Sequence, residues 1–160
     1  MTNNKLQTII VWAENKRGVL NRIFTLIRRR NFNVETITAG HTHIANISRI
    51  TLTFSGNQTQ TEQLIKQLYK IIEITKIIEA EERKSVNREL TLIKIKLNLD
   101  QRLEIMEIVK HFRAKVISFN KNSIILEITG KEEKINSLIE VLKPYGIQEL
   151  ARTGRVTMQK

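Results

Sequence analysis

The chain of 160 residues contains no cysteine, which excludes disulfides and thiolate metal sites and fits a reducing compartment. No apolar run approaches the ~18 residues of a membrane span. The N-terminus passes into strand pattern within a few residues, so no export or import signal is expected. Aromatic residues make up only 5% of the chain and are spread thinly. Acidic side chains are outnumbered, 16 against 27 basic, which leaves a formal net charge of +11. A Walker loop, an HExxH pair and paired carboxylates in a glycine-framed cleft are also missing. Without them, and without a thiol nucleophile, no catalytic residue is expected.

A charge of this size raises nucleic acid or an acidic partner as candidates. Its distribution discounts both, because Lys, Asn and Ile are abundant all along the chain, as an AT-rich bacterial or organellar genome would produce. Only Arg28-Arg29-Arg30 cluster. They fall at the expected end of the first helix, where cations complement the dipole, and read as a solvated helix end rather than a docking patch. His41 and His43 point the same way along a strand but lack an evident third ligand, so no metal is expected. His111, beside Lys110 near a helix C-terminus, reads as a dipole-favoured surface residue.

Taken in order, Lys5 to Ala13 reads as a strand, Val19 to Arg30 as a helix and Val34 to His41 as a second strand. Ser48, Ile50, Leu52 and Phe54 alternate as a third strand with one buried face. After a turn at Ser55-Gly56-Asn57, Leu64, Ile65, Leu68 and Ile72 recur at helical spacing, and Glu73 to Ala80 returns to strand. The polar stretch Glu81 to Asn87 reads as a linker. Beyond it the same order repeats. Leu90 to Leu97 is a strand, and Asp100 is an expected N-cap for a helix through Ile105, Ile108, Val109 and Phe112. A hairpin joins Lys115–Phe119 to Ser123–Ile128, a helix carries Ile135, Leu138, Ile139 and Leu142, and Pro144 and Gly146 close it. Ile147 to Met158 supplies the last strand.

Two copies of β-α-β-β-α-β imply an α+β protein of two ferredoxin-like domains in tandem, residues 1–82 and 83–160. Right-handed crossovers put the first and third strands of each sheet at the centre. One sheet face is then uncovered and the edges are open, so domains of this size are expected to pair edge to edge or face to face.

The most informative stretch is Glu14-Asn15-Lys16-Arg17-Gly18-Val19-Leu20, a tight loop between strand and helix. Gly18 allows positive φ and close approach of a ligand. The N–H groups of Val19 and Leu20 are expected to be free at the positive end of the helix dipole, where a carboxylate is favoured. Asn33 precedes the second strand. If that strand lies beside the first, Asn15 and Asn33 face one mouth, with amides suited to a ligand carrying ammonium and carboxylate together.

Asn15-x-x-Gly18-Val19-Leu20-x-Arg22, Asn33-Val34-Glu35-Thr36-Ile37 and Ser48-Arg49-Ile50-Thr51 resemble the N-terminal ACT domain of the small, regulatory subunits of acetohydroxyacid (acetolactate) synthase. The resemblance continues through Arg88-Glu89-Leu90, Phe112-Arg113-Ala114 and Glu149-x-Ala151-Arg152-x-Gly154, and so covers nearly the whole chain. It implies a subunit without an active site or cofactor of its own. Its partner would be a catalytic large subunit carrying thiamine diphosphate, Mg²⁺ and FAD, which condenses two pyruvates, or pyruvate with 2-ketobutyrate, in branched-chain amino-acid biosynthesis. The small subunit would raise that activity and confer feedback inhibition by valine. By position, Asn15, Gly18 and Asn33 match the effector motif, with Val19, Leu20 and Val34 as backbone or apolar wall. The ligand would lie between the ACT domains of a homodimer. The loop His41 to Asn46 departs from the better-known bacterial members. Bacterial cytoplasm, or plastid stroma with an organelle-encoded gene, fits such a chain.

Two other readings compete. An RNA-recognition motif shares this element order but needs aromatics on its two central strands, where the third strand offers only Phe54 and Ser123 to Ile128 none. A free-standing ACT-type sensor of another enzyme shares the fold, and is disfavoured by the extended match of the second repeat.

Overall fold

The computed structural model describes residues 5–160. The chain forms two compact units, Met1–Val86 with Arg155–Lys160, and Asn87–Gly154. The first contains β1 (Lys5–Glu14), α1 (Val19–Arg29), β2 (Val34–His41), β3 (Ile47–Gly56), α2 (Gln58–Leu68) and β4 (Ile74–Glu79). Its sheet has the order β2-β3-β1-β4, with β1 and β3 central as the crossover rule requires.

β1 lies antiparallel to β3 over its whole length, from Lys5 opposite Gly56 to Glu14 opposite Ile47. Alternation turns Ile9, Val11 and Ala13, with Ile50, Leu52 and Phe54, to one face, where they meet Ile23 and Ile27 of α1 and Leu64 and Leu68 of α2. Each large apolar side chain buried this way contributes about 1.5–3 kcal/mol. α2 begins with a reciprocal capping box: Gln60 N–H donates to Asn57 Oδ1 and Asn57 N–H to Gln60 Oε1, both at 2.9 Å. The Asn-x-x-Gln spacing carries that signal in the sequence. At the β4 edge, Ile77 N–H donates to the Tyr69 hydroxyl at 3.0 Å. A side chain thus occupies a group that an added strand would need.

The second unit repeats the plan with β5 (Ser85–Lys96), α3 (Arg102–Phe112), β6 (Lys115–Phe119), β7 (Ser123–Gly130), α4 (Glu132–Leu142) and β8 (Ile147–Arg152). The strand order is β6-β7-β5-β8. Its core joins Ile93 and Ile95 to Ile105, Val109, Ile135 and Leu138. Glu89, 6% exposed, receives Arg152 Nε at 2.5 Å and Nη2 at 2.9 Å. Arg152 Nη1 also donates to Asn136 Oδ1 of α4 at 3.0 Å. This fork ties two strands and a helix together, and the hydrogen bond and charge of Glu89 raise the pKa of Arg152 above its ordinary value.

The structure departs from the expected elements at several points. The final strand does not run unbroken to Met158. It stops at Arg152, Gly154 takes φ 81°, and a separate strand β9 (Val156–Gln159) follows. The sheet face expected to be uncovered in the first unit is crossed by this segment. Arg155 Nη1 reaches Thr8 Oγ1 at 3.4 Å, Gln159 Nε2 donates to the Glu79 carbonyl at 3.3 Å, and the Arg49 guanidinium donates to the Thr157 carbonyl. Asp100 is not the N-cap of α3. A 3₁₀ turn over Leu99–Gln101 leads into the helix, and Gln101 at the cap is already near helical angles with no side-chain bond, so no extended cap position exists for Asp100 to fill. The split expected after residue 82 falls after Val86 in the compact units, with Arg155–Lys160 returned to the first.

Among the described residues, no helix is long and apolar enough to cross a membrane.

Glu89→Ala strands the Arg152 guanidinium, itself about a third exposed. Discounted for that exposure, the expected loss is about 2 kcal/mol, read from chemical denaturation. An unchanged midpoint would contradict a structural role for the pair.

Candidate functional site

After Glu14 the chain turns sharply. Asn15 N–H donates to the Asn46 carbonyl at 2.7 Å and Lys16 N–H to the Glu14 carbonyl at 2.9 Å, tying this turn to the loop ahead of β3. Gly18 sits at the N-cap of α1 with φ 83°. A Cβ placed there would meet nothing within 4 Å, so glycine is required by the backbone angle and not by crowding. Val19 is buried and anchors the first helical turn in the core, whereas Leu20 is half-exposed.

A cavity of about 260 Å³ opens over this turn, lined by Ala13 to Leu20 together with Ala39, Ser48 and Ile50. Small side chains make the room. Ala13 stands opposite Ser48 and Ala39 opposite Ile50 in the strand register. Sequence reasoning missed Ala13, Ala39, Ser48 and Ile50 as lining residues. The signal was the small residues at strand ends, legible only once the register is known.

Two cations beside the turn are already paired, Lys16 with Glu14 and Arg22 with Glu73, each at 2.5 Å. The hydrogen bond and charge of Glu14 raise the Lys16 pKa. Of the two N–H groups expected to be free, that of Val19 donates to the Lys16 carbonyl in a long bond of 3.4 Å, because the turn closes on itself. The N–H groups of Leu20 and Asn21 have no intrahelical acceptor by geometry. The Asn15 side chain is exposed and has no partner among the described residues. The cavity therefore offers helix-end N–H groups and an amide at the positive end of a dipole, and its lining also carries Arg17, exposed and without a carboxylate partner among the described residues.

Asn33 and Val34 are elsewhere. β1 and β2 both run antiparallel to β3 and so parallel to one another, which puts the end of β1 and the start of β2 at opposite ends of the sheet, and the two Asn residues do not face one mouth. Asn15 follows the end of β1 paired with Ile47, whereas Val34 pairs with Phe54. The two sites are thus roughly 25 Å apart along β3 at strand rise. Asn33 is exposed, and its Nδ2 donates to Glu35 Oε1 at 2.9 Å. Val34 is half-buried against the first core.

Phe54 is fully buried, edge-on to Phe32 with ring centroids 5.8 Å apart, so it offers no stacking platform. Trp12 is the aromatic that central strand β1 contributes, while β5 and β7 contribute none. The two or three stacked bases of an RNA-recognition motif therefore lack their platform. Among the described residues, no group of three His, Cys, Asp or Glu side chains is placed to hold a metal.

Residues 9–76 match the family model described as the AHAS small subunit-like ACT domain, and residues 88–160 that of the small subunit of acetolactate synthase. The chain is 45% identical to the acetolactate synthase small subunit of Bacillus subtilis, covering 95% of this chain and 92% of that one. It is 42% identical to that of Mycolicibacterium smegmatis, covering 96% and 90%. Its structure is similar to the crystal structure of the acetolactate synthase small subunit from Thermotoga maritima, with a TM-score of 0.93 at 32% identity over 98% of both chains.

Gly18→Ala is expected to lower stability by only about 1 kcal/mol, the left-handed penalty alone, as measured by denaturant titration. A loss several times larger would mean that the cavity over the turn is filled.

Proposed function

Because the chain belongs to the family of acetolactate synthase small subunits, we propose that it is the non-catalytic regulatory subunit, activating a catalytic large subunit and making it sensitive to valine. Thiamine diphosphate, Mg²⁺ and FAD then belong to that partner. The complex serves branched-chain amino-acid biosynthesis in a bacterial cytoplasm or a plastid stroma.

The observation that carries this reading is the open cavity over Gly18. In it the valine carboxylate takes the helix-end N–H groups, Asn15 holds the ammonium and the isopropyl group rests on Val19, Leu20 and Ile50. The position of Asn33 supports a site completed by a second copy. One chain cannot bring Asn15 and Asn33 to one ligand, whereas two antiparallel copies meeting along β2 can. The Tyr69 plug on the β4 edge favours β2 as the meeting edge.

Regulation follows by linkage. Valine favours one dimer arrangement and the catalytic subunit another, and a coupling of ~1–3 kcal/mol is enough for a clear effect.

Gly18→Asp places a carboxylate where the ligand's would lie. The expected outcome is a folded subunit that still activates the reconstituted holoenzyme but no longer confers valine inhibition. Retained inhibition would reject the site. Asn15→Ala and Asn33→Ala homodimers should each fail to bind valine in calorimetry. Mixing and re-equilibrating them should restore binding, because each mixed dimer contains one site with both Asn residues. No recovery would place both residues in a single-chain site or in none.

A further inference from the structure

The helix-free face of the first unit's sheet carries a second cavity, of about 430 Å³. Arg49, Trp12 and Lys76 stand side by side on β3, β1 and β4, as direct cross-strand neighbours. The guanidinium carbon and the ammonium nitrogen each lie 5.3 Å from the indole centroid. Ile10, Ile78 and Met158 add an apolar floor, and His41 and His43 stand at the rim.

No carboxylate lines this cavity. Arg49 is partly buried, and its contacts are with neutral acceptors, Thr51 Oγ1 at 3.2 Å and the Thr157 carbonyl. Burial lowers its pKa from the ordinary value, with no acid to offset the desolvation. Lys76 has no carboxylate partner among the described residues, where its neighbour is the Trp12 ring. A half-buried guanidinium without a counter-charge is costly, and the exposed Lys76 beside Trp12 adds a second positive charge that an anion would offset.

We propose that this cavity binds a small organic anion with an apolar body and no ammonium group. A volume of about 430 Å³ admits a single small molecule. The two cations repel an ammonium, so a zwitterionic amino acid is excluded on the same ground that an anion is favoured. The site is distinct from the cavity over Gly18. Ala13, Ser48 and Ile50 line that one, while their chain neighbours Trp12 and Arg49 line this one, so alternation places the two on opposite faces of the same strands. The proposal does not rest on the valine reading, and either stands if the other fails.

The test uses the full chain and 2-oxo-3-methylbutanoate, the carbon skeleton of valine with a ketone in place of the ammonium. Trp12 is the single tryptophan and reports occupancy by its fluorescence, with calorimetry giving the dissociation constant. Saturable binding is expected, undisplaced by valine. Lys76→Met, an exposed strand position, should weaken it roughly tenfold, the loss of one charge-assisted contact. Arg49→Gln should act in the same direction, and circular dichroism of both variants checks the fold. Absence of saturable binding, displacement by valine, or a constant unmoved by Lys76→Met would overturn the proposal. So would a Lys76→Met subunit that loses its catalytic partner while the wild type binds no oxo acid, since the patch would then be a protein-docking surface.

Discussion

The ten-residue antiparallel pairing of β1 with β3 governs the rest of the first unit. It buries Ile9, Val11, Leu52 and Phe54 on one side and so seats both helices. It also fixes where each functional side chain can be. β1 and β2 both run antiparallel to β3, which sends Asn15 and Asn33 to opposite ends of the sheet. The alternation along the same two strands sets Ala13 and Ser48 on one face and Trp12 and Arg49 on the other. A slip of one residue would exchange the linings of the two cavities and turn the core to solvent. Register is therefore the constraint on which any reading of function in this unit depends.

Charge is organised by the same scaffold. The chain carries a formal +11, yet the cavity over Gly18 is bordered by cations already paired with Glu14 and Glu73. Its lining presents the helix end, an amide and the exposed Arg17 beside the paired Glu14 and Lys16, a mixture of both signs. On the opposite face Arg49 and Lys76 flank Trp12 without a carboxylate in the lining. The excess of basic residues is thus not a uniform surface property, and the two faces of one sheet present different electrostatic environments.

Much of this was legible before any coordinates. Period-two and helical spacings located each strand and helix of both repeats, because amphipathic elements with one buried face write their geometry into the order of apolar residues. The strand–turn–helix around Gly18 was legible for a related reason, since glycine between an apolar run and an amphipathic helix marks a turn of positive φ. What failed were statements that need pairing between distant segments. Asn15 and Asn33 were given one mouth on the condition that their strands lie side by side, whereas β1 and β2 both run antiparallel to β3, so the end of one and the start of the other lie at opposite ends of the sheet. The last strand read as continuous because apolar residues recur on both sides of Gly154, and only a turn at φ 81° divides it. Trp12 drew no reading of its own within the expected strand Lys5 to Ala13, since its flanking cations come from β3 and β4. The Asp100 cap failed because a 3₁₀ turn has no distinct mark in residue type.

The proposed regulation turns on a ligand site shared between two copies of the chain and taking valine. A ligand held between two copies must strengthen their association. Sedimentation velocity across a dilution series, with and without saturating valine, measures that directly. The account expects the dimer dissociation constant to fall when valine is present and valine uptake to vanish in the dissociated chain. An unchanged dimer constant, or full uptake by the single chain, would contradict it.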